Sequence, residues 1–254
     1  MTVTSRYFTN QFWADVWCLG KPKILLLLAI TCICGALMAS GGNRDLLHSV
    51  TLVSTVLGLC LVAGGANAIN MWYDRDIDIV MKRTQNRPLP TGRMTPREVL
   101  VIGNAAMIGG TFFLYFVVNF WTAISALAGG LFYVFIYTFL LKRSTDQNIV
   151  IGGAAGAFPP VVGWAAVQGG VLDPMPWLLF AIIFFWTPPH FWALALMTNK
   201  DYTAAKIPML PVTKGVAHTK VAIAKYMLFL YPVTLAPAVI SPSLGWGYVL
   251  GVTA

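Results

Sequence analysis

The chain has 254 residues, of which 57% are hydrophobic and 10% charged, with a mean hydropathy of +0.71. A water-soluble domain carries about a quarter charged residues, so this composition excludes one and makes lipid the solvent for most of the chain. A net charge of +8 would suit nucleic acid, but the charges fall between apolar runs, which is the membrane-protein pattern and argues for no nucleic-acid partner.

A helix needs about 20 apolar residues to cross the hydrocarbon core. Seven runs meet that need, approximately 24–39, 47–72, 99–118, 121–141, 149–167, 177–198 and 221–240, and an eighth begins near Gly245 and is cut off at Ala254. The expectation is an all-α, polytopic transmembrane bundle, with residues 1–254 as one domain that stops within its eighth helix. The first run follows Arg6, Lys21 and Lys23 in the charge order of a signal peptide. It meets no small-residue cleavage site before the next span, so it reads as a retained helix. Nothing at the N-terminus is rich enough in Arg and Ser for a transit peptide, which points to a bacterial inner membrane. Cys18, Cys32, Cys34 and Cys60 lie in or beside apolar segments and read as packed thiols.

With the N-terminus inside, 16 of the 17 basic residues fall on the cytoplasmic side and only Arg44 falls outside, as the positive-inside rule requires. Asp74, Asp76, Asp78, Asp146 and Asp201 gather in the same loops, and opposite charges concentrated on one face suggest a site. Thr95-Pro96-Arg97-Glu98 reads as an N-cap, a first-turn proline and a capping-box glutamate, so a helix should start there.

At the inner end of the second span stands Asn70-x-x-x-Asp74-x-x-x-Asp78. Positions i, i+4 and i+8 share a helix face, so three oxygen-bearing side chains line one stripe. Mg²⁺ is commonly held by one or two carboxylates plus substrate phosphates, and this stripe suits that mode. By spacing alone the stripe is also readable, though less readily, as a solvated helix end paired with Arg75, Lys82 and Arg83. A Ca²⁺ loop on Asp74, Asp76 and Asp78 fails, because Ile79 and Gln85 stand where Gly and Glu are needed. Arg83, Arg87, Arg93, Lys142, Arg143, Lys200 and Lys206 ring the stripe in sequence, as a diphosphate site would require. Each taken singly also serves as a topology determinant.

At these residues the chain resembles the intramembrane UbiA-type prenyltransferase superfamily, and within it the haem branch, the protohaem IX farnesyltransferases or haem O synthases. Asn70, Asp74 and Asp78 match the first motif, continued by Met81-Lys82-Arg83-Thr84-Gln85-Asn86-Arg87-Pro88-Leu89. Further matches run along most of the chain: Leu141-Lys142-Arg143-Ser144-Thr145, Asn148-Ile149, Pro159-Pro160, Gly163-Trp164, His190-Phe191-Trp192-Ala193-Leu194-Ala195, Asp201-Tyr202 and Pro208-Met209-Leu210-Pro211-Val212. Two departures stand out. Lys206 occupies a place where a glycine is expected, and only Asn199 and Asp201 stand where many relatives carry a second aspartate-rich motif.

The resemblance implies a fold of nine helices, of which seven to eight are present. It also implies transfer of a farnesyl group from farnesyl diphosphate to a vinyl group of haem B, giving haem O and diphosphate. Mg²⁺ would be held by Asp74 and Asp78 with Asn70 assisting, and Arg87, Lys142, Arg143 and Arg83 would steady the leaving group. His190, Asp201 and Tyr202 become haem or acceptor candidates, although a lone intramembrane imidazole is as readily a structural group. Phe184, Phe185, Trp186, Phe191 and Trp192 read as core packing, and His48 and His218 receive no role. The implied partners are membrane lipid and a downstream haem A synthase or terminal oxidase assembly. Two other readings remain open at this stage: the same chemistry on an aromatic acceptor of a quinone or chlorophyll pathway, and a non-catalytic transporter or haem-binding factor.

Overall fold

The computed structural model describes residue 7, residues 9–241 and residues 245–253, and among these every regular element is helical. The charge expected at Arg6 lies outside the described residues. Helix α1 (Asn10–Gly20) precedes the first long apolar helix, α2 (Pro22–Ala39). After a 3₁₀ turn (Arg44–His48), α3 (Val50–Tyr73) leads into the short α4 (Arg75–Val80). Helix α5 (Pro96–Val117) is followed by α6 (Phe120–Leu131), which passes into a π-helical stretch, Phe132–Leu141. The next span is made of three pieces, α7 (Asn148–Gly152), α8 (Ala154–Ala157) and α9 (Pro159–Gln168). Then come α10 (Pro174–Met197), α11 (Asn199–Ala204), α12 (Leu210–Thr213), α13 (Gly215–Ile240) and α14 (Gly245–Thr253).

Seven stretches among the described residues are long and apolar enough to cross a membrane, and they coincide with the seven apolar runs. The chain is a multi-pass membrane protein. The ends differ where hydrogen bonding overrules hydropathy. Helix α3 starts at Val50 because the Ser49 hydroxyl accepts from the Leu52 amide at 3.2 Å. Helix α13 starts at Gly215, where His218, Thr219 and Lys220 extend the helix below the apolar run. The capping box forms as the sequence reads. Thr95 Oγ1 accepts from the Glu98 amide at 3.3 Å, and Glu98 Oε2 accepts from the Thr95 amide at 2.7 Å. All four cysteines are free thiols. Cys32 is buried, Cys18 and Cys60 are partly so, and Cys34 is exposed on the outside of the bundle.

Helix α3 is central and packs against α1, α2, α5, α6 and α9. Lipid tails are as apolar as leucine, so helices in a membrane associate through close backbone approach at small residues. Gly65 of α3 faces the Gly103 carbonyl and the Met107 backbone of α5 so closely that a Cβ would strike both. Gly163 of α9 backs onto the Cys32 carbonyl of α2 in the same way. The first contact fixes α3, which ends in the acidic stripe, against α5, and the second ties α9 to α2. Gly65→Val is expected to push α5 off α3 and to cost about 1–3 kcal/mol. The loss should appear as a lower melting temperature in detergent, and an unchanged melting temperature would contradict the contact.

Candidate active site

The stripe survives the break between α3 and α4. Asp74 ends α3, yet its amide donates to the Asn70 carbonyl at 2.9 Å and the Asp78 amide donates to the Asp74 carbonyl at 2.9 Å. The i, i+4, i+8 register therefore carries through, and Asn70, Asp74 and Asp78 are 2%, 0% and 2% exposed. Asp76 points the other way, with 61% of its side chain exposed. The stripe is a buried site and not a solvated helix end, because carboxylates so enclosed must be paired.

Each carboxylate has its own cations. Lys142 Nζ donates to Asp74 Oδ2, and Arg143 Nη2 reaches Asp74 Oδ1 at 3.4 Å. Arg87 Nη1 donates to both oxygens of Asp78, at 3.0 and 2.8 Å. Arg143 also forks onto Asp76 with two bonds of 2.7 Å and lies over the Tyr73 ring at 4.7 Å. That fork holds the Asp76 carboxyl below its ordinary range. Asn70 is oriented by three neighbours. Its Nδ2 donates to Asp74 Oδ2 at 2.8 Å and to Thr138 Oγ1 at 3.1 Å, and its Oδ1 accepts from Lys21 Nζ at 2.8 Å.

Lys21 is the side chain that sequence reasoning missed, having been read there only as a topology charge. It sits between α1 and α2 in the left-handed region (φ 56°), where the Gly20 carbonyl accepts from Asn67 of α3 at 2.8 Å. Its ammonium reaches Asn70 and, at 3.2 Å, the Tyr133 hydroxyl. Burial, then the charges of Arg87 and Lys142, push it down to about 7, while Asp74 and Asp78 pull the other way. That all four charges act on one ammonium shows how closely the group is gathered.

The π-helical stretch was also invisible to hydropathy. Bonding from i to i−5 brings residues four and five apart onto one face. Tyr133 and Tyr137 stack at 5.4 Å, Thr138 Oγ1 donates to the Tyr133 carbonyl at 2.8 Å, and the Lys142 amide donates to the Tyr137 carbonyl at 2.8 Å. One face of this span thus presents Tyr133, Thr138 and Lys142 to α3. The available signal was the polar atoms of Tyr133, Tyr137 and Thr138 within an otherwise apolar run.

The remaining predicted residues divide. Arg83 lies against the Tyr202 hydroxyl, and its charge also reaches Tyr137. Burial outweighs Arg83 and pushes the Tyr202 phenol up. Tyr202 packs beside Ile77, Met81, Ile207 and Met209, so the loop after α10 closes onto the loop after α4. Asp201 is half-buried at the start of α11. His190 stacks on Trp186 at 4.2 Å and meets Phe191 edge-on at 5.5 Å, in ring contacts separate from the acidic stripe's hydrogen bonds. Arg93 does not turn toward the stripe: it pairs with Asp15 of α1. Lys200 and Lys206 are exposed.

The sequence matches the UbiA prenyltransferase family over residues 28–254. The chain belongs to the UbiA prenyltransferase family. It is 49% identical over 238 residues to the protoheme IX farnesyltransferase of Hyphomonas neptunium, covering 93% of this chain and 73% of that protein. It is 52% identical over 229 residues to the protoheme IX farnesyltransferase of Symbiobacterium thermophilum, covering 89% and 74%. Among solved structures, a UbiA homologue from Archaeoglobus fulgidus bound to GPP and Mg²⁺ superposes with a TM-score of 0.73 at 16% identity, covering 89% of this chain and 78% of that one.

For this prenyltransferase the donor set can be weighed against a metal. Among the described residues no three His, Cys, Asp or Glu side chains gather to hold an ion by themselves. Two buried carboxylates beside an amide fit Mg²⁺ in the mode where phosphate oxygens complete its shell. A half-turn of the Asn70 amide would bring its oxygen to the Asp74 side. Arg143 Nε, buried and without a partner, adds a donor suited to an anion.

Lys206 explains the missing glycine. Its amide donates to the Thr203 carbonyl at 3.1 Å, the Ile207 amide to the Tyr202 carbonyl at 3.0 Å, and its φ is 53°. This is a Schellman cap with lysine at the left-handed position that glycine favours. Lys206→Gly should stabilise the enzyme by about 1 kcal/mol, read as a higher melting temperature in detergent. A fall would mean that the lysine side chain contributes more than its backbone strain.

Proposed function

We propose that this prenyltransferase transfers a farnesyl group from farnesyl diphosphate to a vinyl group of haem B, giving haem O and diphosphate. The observation that carries the reading is the pair of buried carboxylates, Asp74 and Asp78, enclosed by Lys21, Arg87, Lys142 and Arg143. The names of the relatives at 49% and 52% identity support the farnesyl donor and the protohaem acceptor.

Asp74 and Asp78, with Asn70, would hold Mg²⁺, which when bound withdraws charge from the diphosphate as the allylic C–O bond breaks. Arg87, Lys142 and Lys21, bonded to the stripe in this structure, would be the donors to the phosphate oxygens. Arg143 supplies its free Nε and stays anchored by Asp76. Arg83, held by Tyr202, lies at the margin of this group. The charge that would develop on the leaving group is then met by donors gathered at the site before the bond breaks. The farnesyl chain runs among apolar helices, where water that would quench a carbocation is excluded. His190, flanked by Trp186 and Phe191, offers a flat aromatic wall and a ring nitrogen to the porphyrin, and Asp201 and Tyr202 lie on the neighbouring loop as further acceptor contacts.

The concentration of basic residues at this end supports a cytoplasmic active site in a bacterial inner membrane. Haem O made there would pass to a haem A synthase or to terminal oxidase assembly. The test is purified protein with haem B, farnesyl diphosphate and Mg²⁺, with the product read by mass spectrometry. Haem O should form, and Asp74→Ala should slow it at least about a hundredfold. Full activity of Asp74→Ala would favour a non-catalytic membrane role, and a prenylated aromatic product without haem O would reassign the acceptor.

A further inference from the structure

The family match begins at residue 28, yet the chain before it reaches the acidic stripe by two routes. One is Lys21, bonded to Asn70. The other starts at Asp15 of α1, which is only 3% exposed. Asp15 and Leu19, one turn apart, face inward, whereas Trp13 and Trp17 are 62% and 68% exposed on the opposite side. Helix α1 therefore turns its tryptophans outward and carries a carboxylate on its inner face.

A buried ion pair seldom holds two elements together better than well-packed apolar side chains. What the Asp15 charge adds is geometry. Arg93 Nε donates to both Asp15 oxygens at 2.9 and 3.1 Å, and Arg93 Nη2 donates to the Asn86 carbonyl at 3.0 Å. Asn86 immediately precedes Arg87, whose guanidinium grips both oxygens of Asp78. Between Asn86 and Arg93 the loop is closed on itself: the Thr91 amide donates to the Arg87 carbonyl at 3.2 Å and the Gly92 amide to the Leu89 carbonyl at 3.0 Å. A displacement of the Asn86 carbonyl is thus carried to the Arg87 backbone.

We propose that Asp15 is a positioning residue for prenyl transfer. Through Arg93 and the Asn86 carbonyl it fixes where the Arg87 guanidinium stands beside Asp78 and the proposed diphosphate site. The inference rests on the functional reading above, in which Arg87 is a diphosphate ligand.

The test is a double-mutant cycle in the full chain, reconstituted in lipid nanodiscs, with calorimetric binding of farnesyl thiodiphosphate and Mg²⁺. Asp15→Asn should weaken binding about tenfold, and Asp15→Glu should restore most of it. In an Arg87→Ala background Asp15→Asn should change binding by no more than about twofold, since coupled residues are not additive. An equal loss in both backgrounds would overturn the inference, because Asp15 would then act on the fold and not through Arg87. If Asp15→Asn does not fold, Arg93→Gln cuts the same link from its other end and carries the same two outcomes. Wild-type protein that binds no analogue overturns the functional reading instead, an outcome separate from additivity measured with wild-type binding intact.

Discussion

Two carboxylates held almost wholly away from water at the end of a membrane helix are the constraint on which the rest of this structure depends. An ionised group so placed costs several kcal/mol unless charge and hydrogen bonds compensate it. Here compensation comes from three separate segments: Lys21 before α2, Arg87 in the loop after α4, and Lys142 and Arg143 at the end of the π-helical span. The acidic stripe therefore acts as an assembly point, and helices distant in sequence are tied together where their loops meet it. In the proposed function the cations that neutralise Asp74 and Asp78 would also meet a bound diphosphate, so folding and substrate binding would draw on one set of charges.

Much of this was legible in the sequence. Seven apolar runs gave seven spans, because lipid demands length and hydrophobicity whatever the packing. The Thr95 to Glu98 capping box and the shared face of Asn70, Asp74 and Asp78 followed from local periodicity, and both appear in the structure. The glycine that the family resemblance implied at position 206 has a conformational reason, since Lys206 carries the left-handed φ that glycine would have supplied.

What stayed hidden depends on which residues face each other across the bundle. Lys21 and Lys200 look alike as interfacial charges. Only folding shows that one enters the site, held by the Asn67 bond to Gly20, while the other remains exposed. The change from α to π bonding at Phe132 leaves no hydropathy signal, yet it sets which side chains of that span meet α3. Arg93 and Arg87 are six residues apart in one basic loop and diverge completely, one to Asp15 and one to Asp78. Loop closure decides that divergence, and charge counting is blind to it.

The proposed function requires an exchange of partners, in which Lys142 and Arg87 would leave the carboxylates for the diphosphate where Asp74 and Asp78 hold a metal ion. A structure of the protein with Mg²⁺ and farnesyl thiodiphosphate tests this directly. The account predicts an ion bound by Asp74 and Asp78, with Lys142 and Arg87 moved onto phosphate oxygens. Carboxylates still bonded to Lys142 and Arg87, with the analogue seated elsewhere in the bundle, would contradict it.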